Sequence, residues 1–306
     1  MEKNIDSDIQ RLSQTIFEKS KKWIENNLNF FDITVKRKTA TDDLQFKAFI
    51  ELLFMNDMFY PKRLFDSSVE EKICKLEEKV LNKVSFSGYF FHDPTLISGS
   101  QETIIFNNHY NLTSQAIEND KRHFQSLVKA KFDLLAQRTP YRLLDSSYSM
   151  LKSKINTNLK SRDFYYNLTV LSNEDFNYLY LSDSSAYSVT HSLFYVTDMG
   201  REHPKYVDYD FVEKKLLNMI IFYICKNNMD IMGESLLSLF FIKPQDMEKN
   251  KNIILAALKS IELNQNKKGY IYSPRHLNDK KLSKEEQFFE NYHTTMVNLG
   301  VANVFR

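Results

Sequence analysis

Positions 187, 191, 195 and 198 hold Tyr, His, Tyr and Asp, spaced by four, four and three. On a helix that spacing sets the four side chains along one face. A stripe of this kind can pass protons, orient a ligand or hold water. His191 is the candidate acid or base, Asp198 its orienter or a ligand anchor, and Tyr195 lies between them. His293, distant in sequence, is the candidate for the opposite wall of a shared pocket, which Tyr187, Thr190, Thr197, Tyr292 and Thr294 would line. His191 and Asp198 cannot chelate one ion, because seven residues of regular helix part them by roughly 10 Å along the axis. Asp198 and His203 flank the turn at Gly200 and could approach each other, and His293 would then complete a three-ligand zinc site. The competing account makes His191 and Asp198 buried polar groups satisfied by neighbouring helices, as most such groups are. Nucleophilic catalysis is disfavoured: neither Cys74 nor Cys225 lies in a His-containing segment, and Ser188 and Ser192 lack the glycine pattern of a nucleophile elbow.

The element that positions the stripe runs from Leu181 to Pro204. One of Ser182, Asp183, Ser184 and Ser185 caps its start, and the pattern predicts a helix to Asp198 or Met199, closed by Gly200 and stopped by Pro204. His293 belongs to a final helix starting at Ser283, with Glu286 three residues on as a capping box. Phe289, His293, Met296, Val297 and Gly300 lie near one face of it. Between these two, helices are predicted over 209–226, 230–242 and 245–263; Glu234 reads as a helix-end carboxylate favoured by the helix dipole, with a pocket acid as the alternative. Towards the N-terminus, Leu12, Ile16, Trp23 and Ile24 form the inward stripe of a first helix, Thr41 and Asp42 cap a second, and Asp66 and Ser67 start a third reaching about Val84. Ser85 to Pro94 reads as an aromatic loop covering a core, His92 and Asp93 included, and residues 95–112 carry no legible pattern. A helix from Thr113 or Ser114 to Leu135, another over 146–170, and a short one from Asn173-Glu174-Asp175 complete the set.

At 306 residues the chain can bury a substantial core. Six Gly and six Pro leave few tight turns, and 24 Phe and 17 Tyr at helical spacing point to aromatic packing between helices. The expected fold is all-α, an α/α toroid or a partly closed array of antiparallel helical hairpins, in a single domain over 1–306 with 85–112 as the candidate subdivision. Lys plus Arg of 41 against Asp plus Glu of 39 argues against a nucleic-acid surface. Two isolated cysteines are expected as free thiols of a reducing compartment. With a polar first segment and no long uncharged apolar run, the chain is expected to be cytoplasmic, with no membrane association.

The segment Leu258 to Pro274, with Gln265, Gly269 and Tyr270, resembles the Gln-x-x-x-Gly-aromatic element of α/α-toroid proteins such as terpene cyclases and protein prenyltransferases, and Tyr292 to Ala302 resembles the inward helix that follows it there. The resemblance implies architecture and no activity, since the chain lacks the Asp-x-Asp-Asp motif of the cyclases and Asp198 has no cysteine two residues on, as a prenyltransferase zinc site would need. The chain also resembles uncharacterised bacterial helical proteins with a Thr-His-x-x-Phe-Tyr-x-Thr-Asp core, here Thr190 to Asp198. The expected function is an enzyme of bacterial specialised or peptide metabolism, acting by acid/base chemistry on a small molecule or peptide in a central cavity. The alternative is a non-catalytic helical scaffold that holds a peptide or partner protein.

Overall fold

The computed structural model describes residues 2–112, 114–172, 177–274 and 282–306; the helix starts predicted at Thr113 and at Asn173 to Asp175 lie outside the described residues. The described chain is all-helical. Its helices are α1 (Glu2–Glu25), α2 (Asp42–Met58), α3 (Ser67–Leu81), α4 (Phe86–His92), α5 (Ile97–Tyr110), α6 (Gln115–Lys129), α7 (Pro140–Ser153), α8 (Arg162–Tyr166), α9 (Asp183–Val196), α10 (Tyr209–Cys225), α11 (Met229–Ile242), α12 (Lys251–Leu263) and α13 (Lys284–Phe305). No strand occurs among the described residues beyond one isolated bridge, Gln265 to Ile271. Among the described residues no helix is long and apolar enough to cross a membrane. Cys74 and Cys225 are free thiols.

Two compact units divide the chain, residues 1–30 with 174–306, and residues 31–173. In the first, α11 is the central helix: every residue of it except Phe240 is buried, and α9, α10, α12 and α13 pack around it. Its sequence, MDIMGESLLSLFFI, carries apolar side chains all round apart from Asp230, Glu234 and two serines, and a helix of that kind must be enclosed by others. Gly233 permits the close approach of α13, since a Cβ there would stand 2.8 Å from Asn298 Oδ1 and 2.9 Å from Val297 Cγ1 on that helix.

Gln265, Gly269 and Tyr270 form a clasp on α1. The Gln265 amide donates to the Ile16 carbonyl at 3.2 Å and to Ser20 Oγ at 2.9 Å. Gly269 has φ +108, and a Cβ would lie 2.3 Å from the Lys19 carbonyl oxygen, so only glycine fits. Tyr270 is buried against Trp23, whose ring in turn stacks on Phe288 of α13 at 5.7 Å. α1 is thereby held to α12 and α13.

In the second unit α5 is central, against α2, α4, α6 and α7. Its pattern is illegible in the sequence for a physical reason: Ser98, Ser100, Gln101, Glu102, Thr103 and Asn107 are buried together with Ile97, Ile104, Ile105 and Phe106, so polarity does not mark a solvent face. The stretch expected as an aromatic loop, Ser85 to Pro94, contains α4 instead. Ser85 caps it, and the Asp120 carboxylate accepts from the Phe86 and Ser87 backbone N–H groups and from the Ser85 and Ser87 hydroxyls, satisfying a helix start that the sequence could not show. The predicted 146–170 helix is likewise cut at Lys154, which adopts a left-handed φ of +59 and ends α7; α8 starts afresh at Arg162.

Candidate functional site

Three helices of the first unit converge on a pair of carboxylates. Ser182 starts α9 by accepting the Ser185 N–H at 3.1 Å, and the i, i+4 spacing of Tyr187 and His191, with Thr190 beside them, points one polar patch at α11. Asn228 caps α11 through the N–H groups of Asp230 and Ile231, and Asp230 and Glu234 then lie one turn apart on the same face. α13, started by the Ser283/Glu286 capping box, brings His293 and Thr294 to that face. The close contact at Gly233 sets how near it comes.

The carboxylates are 5 % and 3 % exposed at their side chains. Each is held by hydroxyl donors: Thr190 donates to Glu234 Oε2 at 2.6 Å, Tyr187 to Asp230 Oδ2 at 2.5 Å, and Thr294 to Asp230 Oδ1 at 3.1 Å. Two imidazoles face them at longer range. His191 Nε2 stands 3.4 Å from Glu234 Oε2, and His293 Nε2 stands 3.6 Å from Glu234 Oε1 and 3.4 Å from Asp230 Oδ1. Both rings keep some solvent access, at 17 % and 29 %, so the patch is reachable from outside while its acids are not.

Burial and charge divide the two acids. At Glu234 burial acts to raise the pKa, but the charge and hydrogen bonding of His191 and His293 outweigh it, and the carboxyl is held below the usual range. At Asp230 burial prevails over the opposing effect of His293 and the hydrogen bonds of Tyr187 and Thr294, and the pKa is raised. Burial, then the negative charges of Asp230 and Glu234, push the Tyr187 hydroxyl far up, so it stays a donor. An ionised carboxylate beside a half-buried imidazole is an arrangement that can hold and move a proton.

Of the side chains singled out in the sequence, the structure brings His191, His293, Tyr187, Thr190 and Thr294 together on Asp230 and Glu234. Tyr195 is buried, its ring edge-on to His191 at 6.2 Å. Tyr292 stacks on Phe288 and packs edge-on to Phe289, in the aromatic cluster next to α1.

Asp198 is elsewhere. α9 ends at Val196, two or three residues short of the expected end at Asp198 or Met199, and Asp198 and Met199 both take left-handed φ, at +47 and +54. That turn takes Asp198 off the helical face, and its carboxylate pairs with Arg201 at 3.0 Å. Thr197 serves the same turn: its hydroxyl donates to the Leu193 carbonyl and accepts the Gly200 N–H. His203 is exposed, with its ring 5.7 Å from that of Tyr209. The zinc set Asp198, His203 and His293 is therefore not assembled. Among the described residues the one group of three with metal-ligand spacing is Asp230, Glu234 and His293, whose ligating atoms all lie within 4.8 Å of one another.

Of the two readings of Glu234 the helix-end carboxylate gives way to the pocket acid: it is buried and faces two imidazoles, and Asp230 joins it. One signal was available: two acids four apart in an otherwise apolar helix cannot stay buried and ionised without partners, so the helices beside them must supply some.

Comparison with known proteins adds a family. A family model described as a domain of unknown function, DUF6895, matches residues 17–303. No curated protein and no solved structure matches the chain.

Proposed function

The chain belongs to the DUF6895 family, and we propose that it is an enzyme whose acid/base centre is built by α9, α11 and α13 and acts on a small molecule or peptide. One observation carries this: the two imidazoles, each with partial solvent access, lie 3.4 and 3.6 Å from the two oxygens of the buried Glu234 carboxylate. In this proposal His191 takes and returns the proton, Glu234 orients it and balances its charge, and His293 works from the opposite side. Tyr187, Thr190 and Thr294 are positioning residues, since their hydroxyls bind the carboxylates. The resemblance to α/α toroids enters as architecture alone, through the clasp of Gln265, Gly269 and Tyr270 on α1.

The test is turnover against a pooled small-molecule and peptide extract, followed by mass spectrometry. The wild-type chain is expected to deplete a component and produce another; His191→Gln, folded by circular dichroism, is expected to bind the same component and leave it unchanged. Equal turnover by His191→Gln would overturn the proposal. Binding by both proteins with no turnover by either would favour a scaffold that only holds its ligand.

A further inference from the structure

We propose that Asp230, Glu234 and His293 hold a single divalent transition-metal ion, with Tyr187, Thr190 and Thr294 fixing the carboxylates around it. The inference rests on the centre proposed above and names what it binds.

Charge gives the first reason. Two carboxylates one helical turn apart are almost fully buried, and among the described residues neither has a Lys or Arg partner. Buried negative charge of this density needs compensation close by; His191 and His293 supply it only when protonated, whereas a divalent ion neutralises the pair with both rings neutral.

Distance gives the second reason, independent of the first. The hydroxyl donors approach these carboxylates at 2.5 to 3.1 Å, well inside hydrogen-bond reach. His293 Nε2 stands 3.4 Å from Asp230 Oδ1 and 3.6 Å from Glu234 Oε1, about equally far from both carboxylates. Ligands about 2.1 Å from a tetrahedral ion lie about 3.4 Å from one another. The two distances from the imidazole to the carboxylates therefore match polyhedron edges, and all three ligating atoms lie within 4.8 Å of one another.

The surroundings fit as well. Metal-bound carboxylates are usually fixed by hydrogen bonds from a supporting shell, and here the Tyr187 and Thr190 hydroxyls occupy the oxygens turned away from His293, Asp230 Oδ2 and Glu234 Oε2. Two carboxylates and one imidazole suit Zn²⁺, Mn²⁺ or Fe²⁺ and disfavour soft ions such as Cu⁺. Three protein ligands leave a position for water or substrate, as catalytic sites do. His191 faces the Oε2 atom of Glu234, so it remains available as the acid or base.

Full-length protein stripped with EDTA is titrated with Zn²⁺ alone in competition with a chromophoric chelator, and the Co²⁺-loaded form is read by visible absorption. One equivalent per chain is expected. His293→Ala and Asp230→Asn should weaken binding at least 100-fold, and Thr294→Val, which keeps every ligand, about 10- to 100-fold. His191→Gln, His203→Ala and Asp198→Asn should each retain one equivalent, and His293→Gln should shift the Co²⁺ spectrum. The inference is overturned if the folded wild-type chain takes up none of Zn²⁺, Mn²⁺ and Fe²⁺, or if His293→Ala binds as tightly as wild type. A metal-free chain whose turnover is lost in His191→Gln would remove the ion and leave the acid/base proposal standing. A metal-bound chain with full turnover in His191→Gln would do the reverse.

Discussion

Thr190 shows how much of the site depends on groups that do no chemistry. Its hydroxyl donates to Glu234 Oε2 at 2.6 Å in a fully buried position. Replacing it with the near-isosteric Val leaves the carboxylate its shape of cavity and takes away a donor, and an unsatisfied buried charged group costs about 1 to 3 kcal/mol or more. Thr190→Val should therefore lower the unfolding free energy by that amount, seen as a lower urea midpoint with an unchanged slope, and an unchanged midpoint would mean that water or another group replaces the hydroxyl. His191 and His293 were legible as candidates, because imidazoles amid apolar helix faces invite a functional explanation. Asp230 and Glu234 were not singled out together, since an acid near a helix start already has a sufficient local reason in the helix dipole. Asp198 misled for the opposite reason. Its spacing from His191 suits a helix, but the helix stops at Val196 and the side chain follows a left-handed turn to Arg201.

At the level of elements, glycine positions decide how the helices meet, and two of them make contrasting demands. A Cβ at Gly233 would meet the Asn298 and Val297 side chains at 2.8 and 2.9 Å, groups that can shift by tenths of an ångström. Overpacking costs about 1 to 3 kcal/mol, while alanine in a helix recovers up to about 1 kcal/mol. Gly233→Ala should therefore destabilise by about 2 kcal/mol or less and, by moving α11 from α13, weaken Zn²⁺ binding more than its effect on stability would suggest. At Gly269 the obstacle is the Lys19 backbone carbonyl at 2.3 Å, combined with a φ of +108 that a side chain resists. Gly269→Ala should cost about 3 kcal/mol or more and leave Zn²⁺ affinity unaltered in the protein that remains folded. Thermal melts with parallel titrations test the pair, and equal losses of stability in the two variants would contradict this account of the clasp. The same scale shows where sequence periodicity works and where it does not. α1 and α3 carry a wet and a dry face and were read from their apolar spacing, whereas α5 is buried on every side with its polar groups inside, and α4 depends on Asp120, which comes from another helix.

Taken as a whole, the chain concentrates its buried acids in both units, and those acids make its stability depend on pH. Glu77 in the second unit is 1 % exposed, and burial raises its carboxyl to about 8 against the hydrogen bond that Asn107 donates to it. Between pH 4.5, its ordinary value, and about 8 the folded chain retains a proton that the unfolded chain has lost. The folded state binds more protons in that window, so stability falls as pH rises through it. Every tenfold difference in proton affinity between the folded and unfolded chain corresponds to about 1.4 kcal/mol, which makes the Glu77 contribution a few kcal/mol once pH exceeds the folded value. Glu77→Gln keeps the size of the side chain and cannot ionise. It should match the wild-type chain near pH 5, exceed it in stability above pH 8, and flatten the slope between. Other acids contribute to the absolute curve, Glu102 and Glu70 with raised values and Asp32 and Glu213 with lowered ones, so the difference between the two proteins is the quantity to read. Trp23, the only tryptophan, lies in the first unit, and its fluorescence follows that unit while circular dichroism follows the helices of both. If the variant and wild-type denaturation curves by circular dichroism stay separated by the same amount from pH 5 to 9, Glu77 is ionised in the folded chain and its burial has been compensated by a donor other than Asn107.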